Sequence, residues 1–177
     1  MTRIRALVVV GILSIAAIVL VVVTVNRDSQ GGDTTAQNCQ PGNIPVSLEL
    51  PESGSEITIN VFNATQTTGL ANNVAADFRN RKFNVEKVES EMENGQEKYY
   101  PDEVAVLRYG PKTVAAAHLL RAYFLNETTP QFDLKREDNI VDVVVGGRFK
   151  QLATPTEVNQ AVAILGRPKL PPGTCEG

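Results

Sequence analysis

Four polar residues follow or end two apolar segments, and their side chains could bind a ligand. Asn63 and Thr65 come after the alternating segment ITINV, and Arg108 and Tyr109 lie near the end of the segment EVAVLRYG. An amide, a hydroxyl, a guanidinium and an aromatic ring offer polar and stacking contacts that suit a glycan or a peptide. These four residues would meet at one edge of the sheet if the two strands were parallel neighbours. The alternative is that Asn63 and Thr65 only fasten a turn and that Tyr109 only covers the core.

The segments that could hold a catalytic or phosphate-binding site lack the residues that such sites need. The loop NATQTTG, at residues 63–69, has one glycine and no lysine, whereas a phosphate-binding loop needs several glycines and a lysine. We expect Thr67 or Thr68 to cap the following helix instead. His118 is the single histidine, and its helical spacing predicts a solvated surface position. No G-x-S-x-G motif is present, so we predict no catalytic residue.

One loop carries a run of acidic residues, which is the single candidate for a metal site. It lacks the D-x-D-x-D-G order of a calcium-binding loop, and an acidic run of this kind is usually a solvated face. We therefore predict neither a metal ion nor a cofactor. The acidic residues are Glu89, Glu91, Glu93, Glu97 and Asp102.

The N-terminal segment predicts a membrane anchor. Residues 6–25 contain no charged residue and are long enough to cross a bilayer as one helix. Arg3 and Arg5 precede them and favour a cytoplasmic N-terminus at residues 1–5. Residues 26–55 are rich in Gly, Ser, Thr and Pro, as expected for an extracytoplasmic linker. The alternative is a cleaved signal peptide, but no small-residue cleavage site follows the apolar run.

The charge of the chain beyond the anchor excludes one class of partner. Fifteen Lys and Arg residues face twenty Asp and Glu residues after position 25. Binding to nucleic acid depends on the neutralisation of phosphates by cations. We therefore predict no nucleic-acid partner.

Two cysteines flank the predicted extracytoplasmic domain. Cys39 and Cys175 are the only cysteines of the chain. A lone pair outside the cytoplasm favours a disulfide, and the alternative is two free thiols. The sequence predicts that Cys39 and Cys175 are joined.

The elements that position these residues alternate between strands and helices. Period-two spacing predicts strands at residues 57–61, 83–89 and 140–145, with a further strand in EVAVLRYG. Apolar stripes predict one helix after the first strand and another from Pro111 onward. The order is βαββαβ, which predicts an α/β fold of the α+β two-layer type. Its four-stranded sheet would have a split-βαβ order and both helices on one face.

The two ends of this domain add smaller elements. VSLEL, at residues 46–50, alternates like a short strand. Thr154 and Glu157 form a capping box at the start of a C-terminal helix, and Gly166 ends it. The Pro-rich tail after that helix predicts irregular structure held by Cys175. The predicted domain covers residues 56–177.

The order of several short motifs resembles the LytR C-terminal domain (LytR_C). The motifs are VFNAT at residues 61–65, GLA at residues 69–71, RYGP at residues 108–111 and VVVGGRF at residues 143–149. The resemblance covers about residues 56–149. Where glycine is frequent in the family, this chain has Ala64, so the turn there must avoid a positive φ.

The resemblance implies a function in the cell envelope. In this family the domain often follows a LytR-CpsA-Psr catalytic domain, and it also occurs alone behind one membrane helix in small actinobacterial envelope proteins. The chain has no room for the catalytic domain, so the resemblance implies a non-catalytic, membrane-anchored module. Its expected partners are the membrane, a cell-wall glycopolymer or a wall-assembly protein such as a LytR-CpsA-Psr ligase. The alternative is a hydrolase or transferase that acts on wall polymers.

Overall fold

A computed structural model describes residues 39–177 of the chain. The predicted cytoplasmic segment at residues 1–5 and the predicted anchor at residues 6–25 lie outside the described residues. Within residues 39–177, no helix combines the length and the apolar character needed to cross a membrane. The compact unit begins at Cys39, so it includes residues 39–55, which the sequence predicts to be linker.

The described chain contains nine strands and three α-helices. The strands are β1 Ile44–Val46, β2 Thr58–Asn63, β3 Asn84–Ser90, β4 Met92–Glu93, β5 Gln96–Glu97, β6 Ala105–Tyr109, β7 Thr128–Phe132, β8 Ile140–Val145 and β9 Thr174–Glu176. The helices are α1 Leu70–Asn80, α2 Val114–Ala122 and α3 Pro155–Leu165. Short 3-10 turns at Gly54–Glu56 and Pro111–Thr113 precede β2 and α2.

The main sheet has five strands in the order β3-β2-β8-β6-β7. β2 runs parallel to both β3 and β8, and β6 runs parallel to β7. The two groups are antiparallel, because β6 pairs with β8 in the opposite direction. Val145 of β8 lies opposite Asn63 of β2 on one side and opposite Ala105 of β6 on the other.

The predicted four-stranded, split-βαβ sheet is wrong in two respects. β2 and β3 are direct neighbours, as are β6 and β7, so neither βαβ unit is split. β7 was not predicted, because the sequence TTPQF is polar and contains Pro130. A proline removes a backbone donor and is tolerated in an edge strand, and β7 is such an edge.

α1 and α2 cover one face of the sheet, as the apolar stripes predict. Ala71, Val74, Ala75 and Phe78 of α1 are all buried. The ring of Phe78 lies 6.2 Å from that of Phe124, beyond the end of α2. Both helices share one apolar cluster with side chains of the central strands, which are Ile59 and Val61 of β2, Leu107 of β6 and Val141, Val143 and Val145 of β8. The opposite face of the sheet carries no α-helix in the described part of the chain.

α3 starts and ends at the predicted residues. The Thr154 side chain accepts a hydrogen bond from the Glu157 backbone N–H, and the Glu157 carboxylate accepts one from the Thr154 N–H. These contacts lower the pKa of Glu157, because they stabilise its ionised form. Gly166 adopts a φ of 65° at the C-cap. Val158 and Ala161 bury the inner side of α3 against Ala122 and Ala153.

The two ends of the described chain are tied together. Cys39 and Cys175 form a disulfide that closes a sequence separation of 136 residues, which confirms the prediction. Next to it, β1 and β9 pair in parallel, with Ile44 opposite Thr174. The tail is therefore regular at its end, in contrast to the irregular structure predicted. The predicted strand at residues 46–50 is also shifted, since only Val46 lies in β1.

Candidate functional site

The turn after β2 uses the polar groups of Asn63 and Thr65 internally. Asn63 Oδ1 accepts hydrogen bonds from the Thr65 N–H at 3.0 Å and from the Thr65 hydroxyl at 2.7 Å. Asn63 Nδ2 donates to the Thr67 carbonyl at 2.9 Å, and the Thr67 N–H donates to Thr65 Oγ1. These contacts are those of a residue pair that fastens its own loop, since each main donor and acceptor already has a partner.

The loop enters α1 through Gly69 rather than through a threonine cap. Gly69 is the N-cap residue at a φ of 78°, and no side chain caps the helix. The expectation that Thr67 or Thr68 caps α1 is therefore wrong, because Thr67 is engaged in the turn. Ala64 is not among the positive-φ residues, as expected for its replacement of glycine. It is fully buried and packs against Val106 and Val144.

A hollow lies where β2 and β8 end, which is the edge at which ligands bind in many parallel sheets. Its volume is about 590 Å³. Thr65, Tyr99, Gly146 and Gly147 are among the residues that line it. A Cβ at Gly146 would come within 2.3 Å of the Glu103 carbonyl oxygen, so this close approach requires glycine.

Arg108 lies on the face of the sheet that the α-helices leave open, and its guanidinium is held by three side chains. Nη2 donates to Glu91 Oε1 at 2.6 Å and to the Tyr100 hydroxyl at 3.1 Å, and Nε donates to Gln131. Burial lowers the pKa of Arg108, but the hydrogen bond and charge of Glu91 outweigh it and keep the pKa above its usual value. Arg108 is therefore committed to contacts inside the domain.

Glu91 is the exception to the prediction that the acidic run is a solvated face, since the other four acidic residues are exposed. The Glu91 side chain is only 6% exposed and forms an ion pair with Arg108. Glu93 forms an ion pair with Lys98, while Glu97 accepts a hydrogen bond from Tyr99. Within residues 39–177, no three His, Cys, Asp or Glu side chains cluster as metal ligands would.

A second charged network continues along the same open face. Asp142 of β8 accepts two hydrogen bonds from the Arg136 guanidinium, at 2.8 and 3.1 Å, and one from Asn60 at 2.8 Å. Arg136 also pairs with Asp138. Burial raises the pKa of Asp138, but the hydrogen bonds from Arg136 and the Ile140 N–H outweigh this effect and lower the pKa overall. We call these two networks, around Arg108 and Arg136, the paired face.

Tyr109 points to the opposite face of the sheet from Arg108 and lies far from Asn63 in the pattern of strands. β8 separates β2 from β6, and β6 runs antiparallel to β2. The C-terminal ends of β2 and β6 therefore lie at opposite ends of the sheet. The sequence alone had left open that the two strands are parallel and that these ends meet. Asn63 and Thr65 form one group, and Tyr109 belongs to a different part of the molecule.

Tyr109 lines a groove of about 430 Å³ between β6, α2, the end of α3 and the chain that follows it. Its ring packs against Phe132 at 5.6 Å. Burial raises the pKa of Tyr109, and the nearby Arg121 charge acts in the opposite direction. We call this region the basic groove; the other residues that line it are Leu107, Val114, Ala117, His118, Arg121, Asn126, Pro130, Ile164, Leu165, Arg167, Pro168 and Lys169.

His118 is half-buried and faces this groove. Its Nε2 lies 3.0 Å from the carbonyl oxygen of Gly166, at the end of α3. The helical spacing placed His118 away from the core correctly, but it did not reveal that α3 ends against that side of α2.

The sequence also missed Arg121, Asn126, Arg167 and Lys169 as site residues. Two of them stand in the Pro-rich tail segment RPK, which the sequence offers no means of placing beside α2. The only available signal was that Arg121 is three residues after His118 and so shares its side of the helix.

The four motifs that resemble LytR_C, between residues 61 and 149, all lie within the part of the chain that a family model matches. A family model described as "LytR cell envelope-related transcriptional attenuator" (LytR_C) matches residues 56–149, more than half of the chain. The chain belongs to the LytR_C family. Membership indicates an extracytoplasmic module related to the cell envelope. The family description names a regulatory role, that of an attenuator, rather than a catalytic one. The match spans β2 to β8, so it includes the paired face and Tyr109.

One solved structure is also similar. It is the soluble domain of a conserved hypothetical secreted protein from Mycobacterium marinum, an Rv2700 ortholog. The identity is 22%, the TM-score is 0.49, and the match covers 73% of this chain and 82% of that chain. This likeness is too distant for a functional inference. No curated protein matches the chain.

Proposed function

We propose that this LytR_C chain is a non-catalytic, membrane-anchored module that supports cell envelope integrity. It would do so by binding a wall glycopolymer or a wall-assembly partner such as a LytR-CpsA-Psr ligase. The chain would be of the stand-alone kind represented by the envelope integrity protein Cei and the virulence regulator VirR. Family membership supports the envelope context, and the Cys39–Cys175 disulfide suits an extracytoplasmic location.

The observation that carries the binding part of the proposal is the basic groove. Within the described residues, it brings an aromatic ring and three cationic side chains to one concave surface, and no acidic side chain lines it. Concave sites with a few convergent polar groups are where small ligands and flexible chains bind. Of the four residues that the sequence predicts as a site, Tyr109 lies in this groove, and Asn63, Thr65 and Arg108 make the contacts within the domain described above.

Binding to isolated cell walls tests this proposal. The full-length chain, purified in a mild detergent, should co-sediment with walls of its source bacterium. It should lose that binding when the anionic glycopolymer is stripped from the walls, or else it should co-purify with a LytR-CpsA-Psr ligase. A strain that lacks the gene should show increased envelope permeability that the intact gene restores. The proposal is overturned if the deletion leaves the envelope intact and the chain retains neither partner.

A further inference from the structure

Two buried polar atoms without a hydrogen-bond partner belong to residues that line the basic groove. They are Arg121 Nε and Asn126 Oδ1, and Thr128 Oγ1 is the one other such atom in residues 39–177. A buried polar atom without a partner costs free energy, and such atoms are rare in native structures. Both residues line the groove, so a ligand bound there can complete their hydrogen bonding once the side chains turn to expose these atoms. Asn126 also lines a second hollow, beside Thr128.

The charge of the groove favours an anion. Arg121 and Lys169 form no salt bridge with an acidic side chain of residues 39–177. Arg167 has a single long contact with Glu176, at 3.5 Å between two exposed side chains. An exposed pair of that kind contributes little and leaves the cation available to another anion. This local excess of positive charge stands within a domain of net negative charge.

The two unpartnered atoms need different groups on a ligand, because one is a hydrogen-bond donor and the other is an acceptor. Arg121 Nε is a donor and suits an oxygen of a phosphate or a carboxylate, as arginine generally does. Asn126 Oδ1 is an acceptor and repels an anion, so it needs a hydroxyl or another donor. Asn126 Nδ2 makes one long contact, at 3.5 Å, with the Ala161 carbonyl of α3. One ligand satisfies both atoms if it carries an anionic group and hydroxyl groups together.

The apolar rim of the groove has the character of a sugar-binding surface. The ring of Tyr109 forms one wall, and Ile164, which is 79% exposed, stands at the rim. Aromatic and aliphatic surfaces contact the C–H faces of sugar rings by dispersion and burial. The volume of the groove also leaves room beside an anionic group.

The geometry points to a sugar phosphate as the ligand of the basic groove. Its phosphate lies against Arg121, with Arg167 and Lys169 close by, and a sugar hydroxyl donates to Asn126 Oδ1. This inference rests on the proposed function and deepens it by naming the ligand chemistry. The same chemistry occurs in a phosphorylated wall glycopolymer and in a sugar-bearing phospholipid headgroup.

Calorimetric titration of the full-length chain with glucose 1-phosphate tests the inference. We expect saturable binding, and we expect Arg121→Gln to weaken it by at least about tenfold through the loss of a charge-assisted hydrogen bond. Arg79→Gln is the matched control, because Arg79 is the basic residue in the last turn of α1 as Arg121 is in the last turn of α2. It should bind like the parent chain.

A second variant tests the hydroxyl contact. Asn126 has a φ of 66°, so Asn126→Gly removes the amide and keeps the backbone conformation. It should weaken binding of glucose 1-phosphate and leave the weaker binding of inorganic phosphate unchanged. Glucose alone should not bind measurably. Vesicles of phosphatidylinositol, compared with vesicles of phosphatidylcholine, distinguish a lipid headgroup from a wall polymer as the source.

The inference is overturned if no phosphate compound binds, or if Arg79→Gln weakens binding as much as Arg121→Gln does. Thermal unfolding of each variant excludes a loss that comes from unfolding. The outcome is separable from that of the proposed function. If the parent chain and Arg121→Gln bind isolated walls equally while glucose 1-phosphate does not bind, the proposed function stands and the sugar phosphate site does not.

Discussion

Arg108 and Arg121 lie on the two faces of the same domain and have opposite surroundings. On the paired face, Arg108 contacts Glu91, Tyr100 and Gln131. In the basic groove, Arg121 keeps a buried Nε without a partner. A polar side chain whose partners all belong to the domain stabilises the fold, while one that lines a groove and holds an unpartnered polar atom has hydrogen-bonding capacity left for a ligand. The contrast separates structural arginines from binding arginines without any appeal to sequence motifs.

The disulfide stabilises the side of the molecule that holds the basic groove, because Cys175 anchors the tail that carries Arg167 and Lys169. Replacing both cysteines with serine should lower the free energy of unfolding by about 5 kcal/mol, from the entropy of a loop of this length. Urea unfolding of the parent chain and the double variant measures this difference. We also expect weaker glucose 1-phosphate binding in the variant under conditions where it is still folded. Equal stabilities would show that β1 and β9 hold the tail without the bridge.

Removal of Arg108 should affect stability and leave ligand binding intact. Arg108→Ala leaves the Glu91 carboxylate buried without its partner, and such a loss costs about 3 kcal/mol. A double-mutant cycle with Glu91→Gln measures the coupling between the two side chains by urea unfolding. Reduced affinity for glucose 1-phosphate at unchanged stability would contradict the assignment of Arg108 to the fold.

The smallest effect concerns the phenol of Tyr109. Burial raises its pKa, so the neutral form is favoured in the folded state. That contribution to stability is present below the pKa of an unfolded tyrosine, about 10, and it is lost as pH rises through the higher folded pKa. Tyr109→Phe should therefore lose less stability than the parent chain as the pH rises from about 9 past the unfolded pKa of about 10. Urea unfolding across this range measures the difference, and identical pH profiles would show that the phenol does not titrate differently in the two states.

The local elements were predictable from the sequence because their signals are local. The stripe of α1 and the capping box of α3 depend on residues three or four positions apart. β7 was missed because its polar, proline-containing sequence resembles a loop, and it becomes a strand only by pairing with β6. The order of the sheet was missed for the same reason, since strand pairing is set by contacts between distant parts of the chain.

The site was less predictable than the fold. Asn63, Thr65, Arg108 and Tyr109 were selected by their types and their positions at strand ends, but antiparallel pairing of β6 with β8 separates them. The groove residues come from α2, the loop before β7 and the tail, so no short motif contains them. Only the folded chain shows that Arg121 and Asn126 have buried atoms without partners.

Side-chain NMR of the arginines tests most directly whether ligands bind in the basic groove rather than at the paired face. The full-length chain, labelled with ¹⁵N and ¹³C and held in detergent micelles, is titrated with glucose 1-phosphate while the arginine Nε–Hε signals are followed. We predict that the Arg121 signal shifts with saturation and that the Arg108 signal, fixed by Gln131, stays in place. A saturable shift of Arg108 with no change at Arg121 would contradict the account.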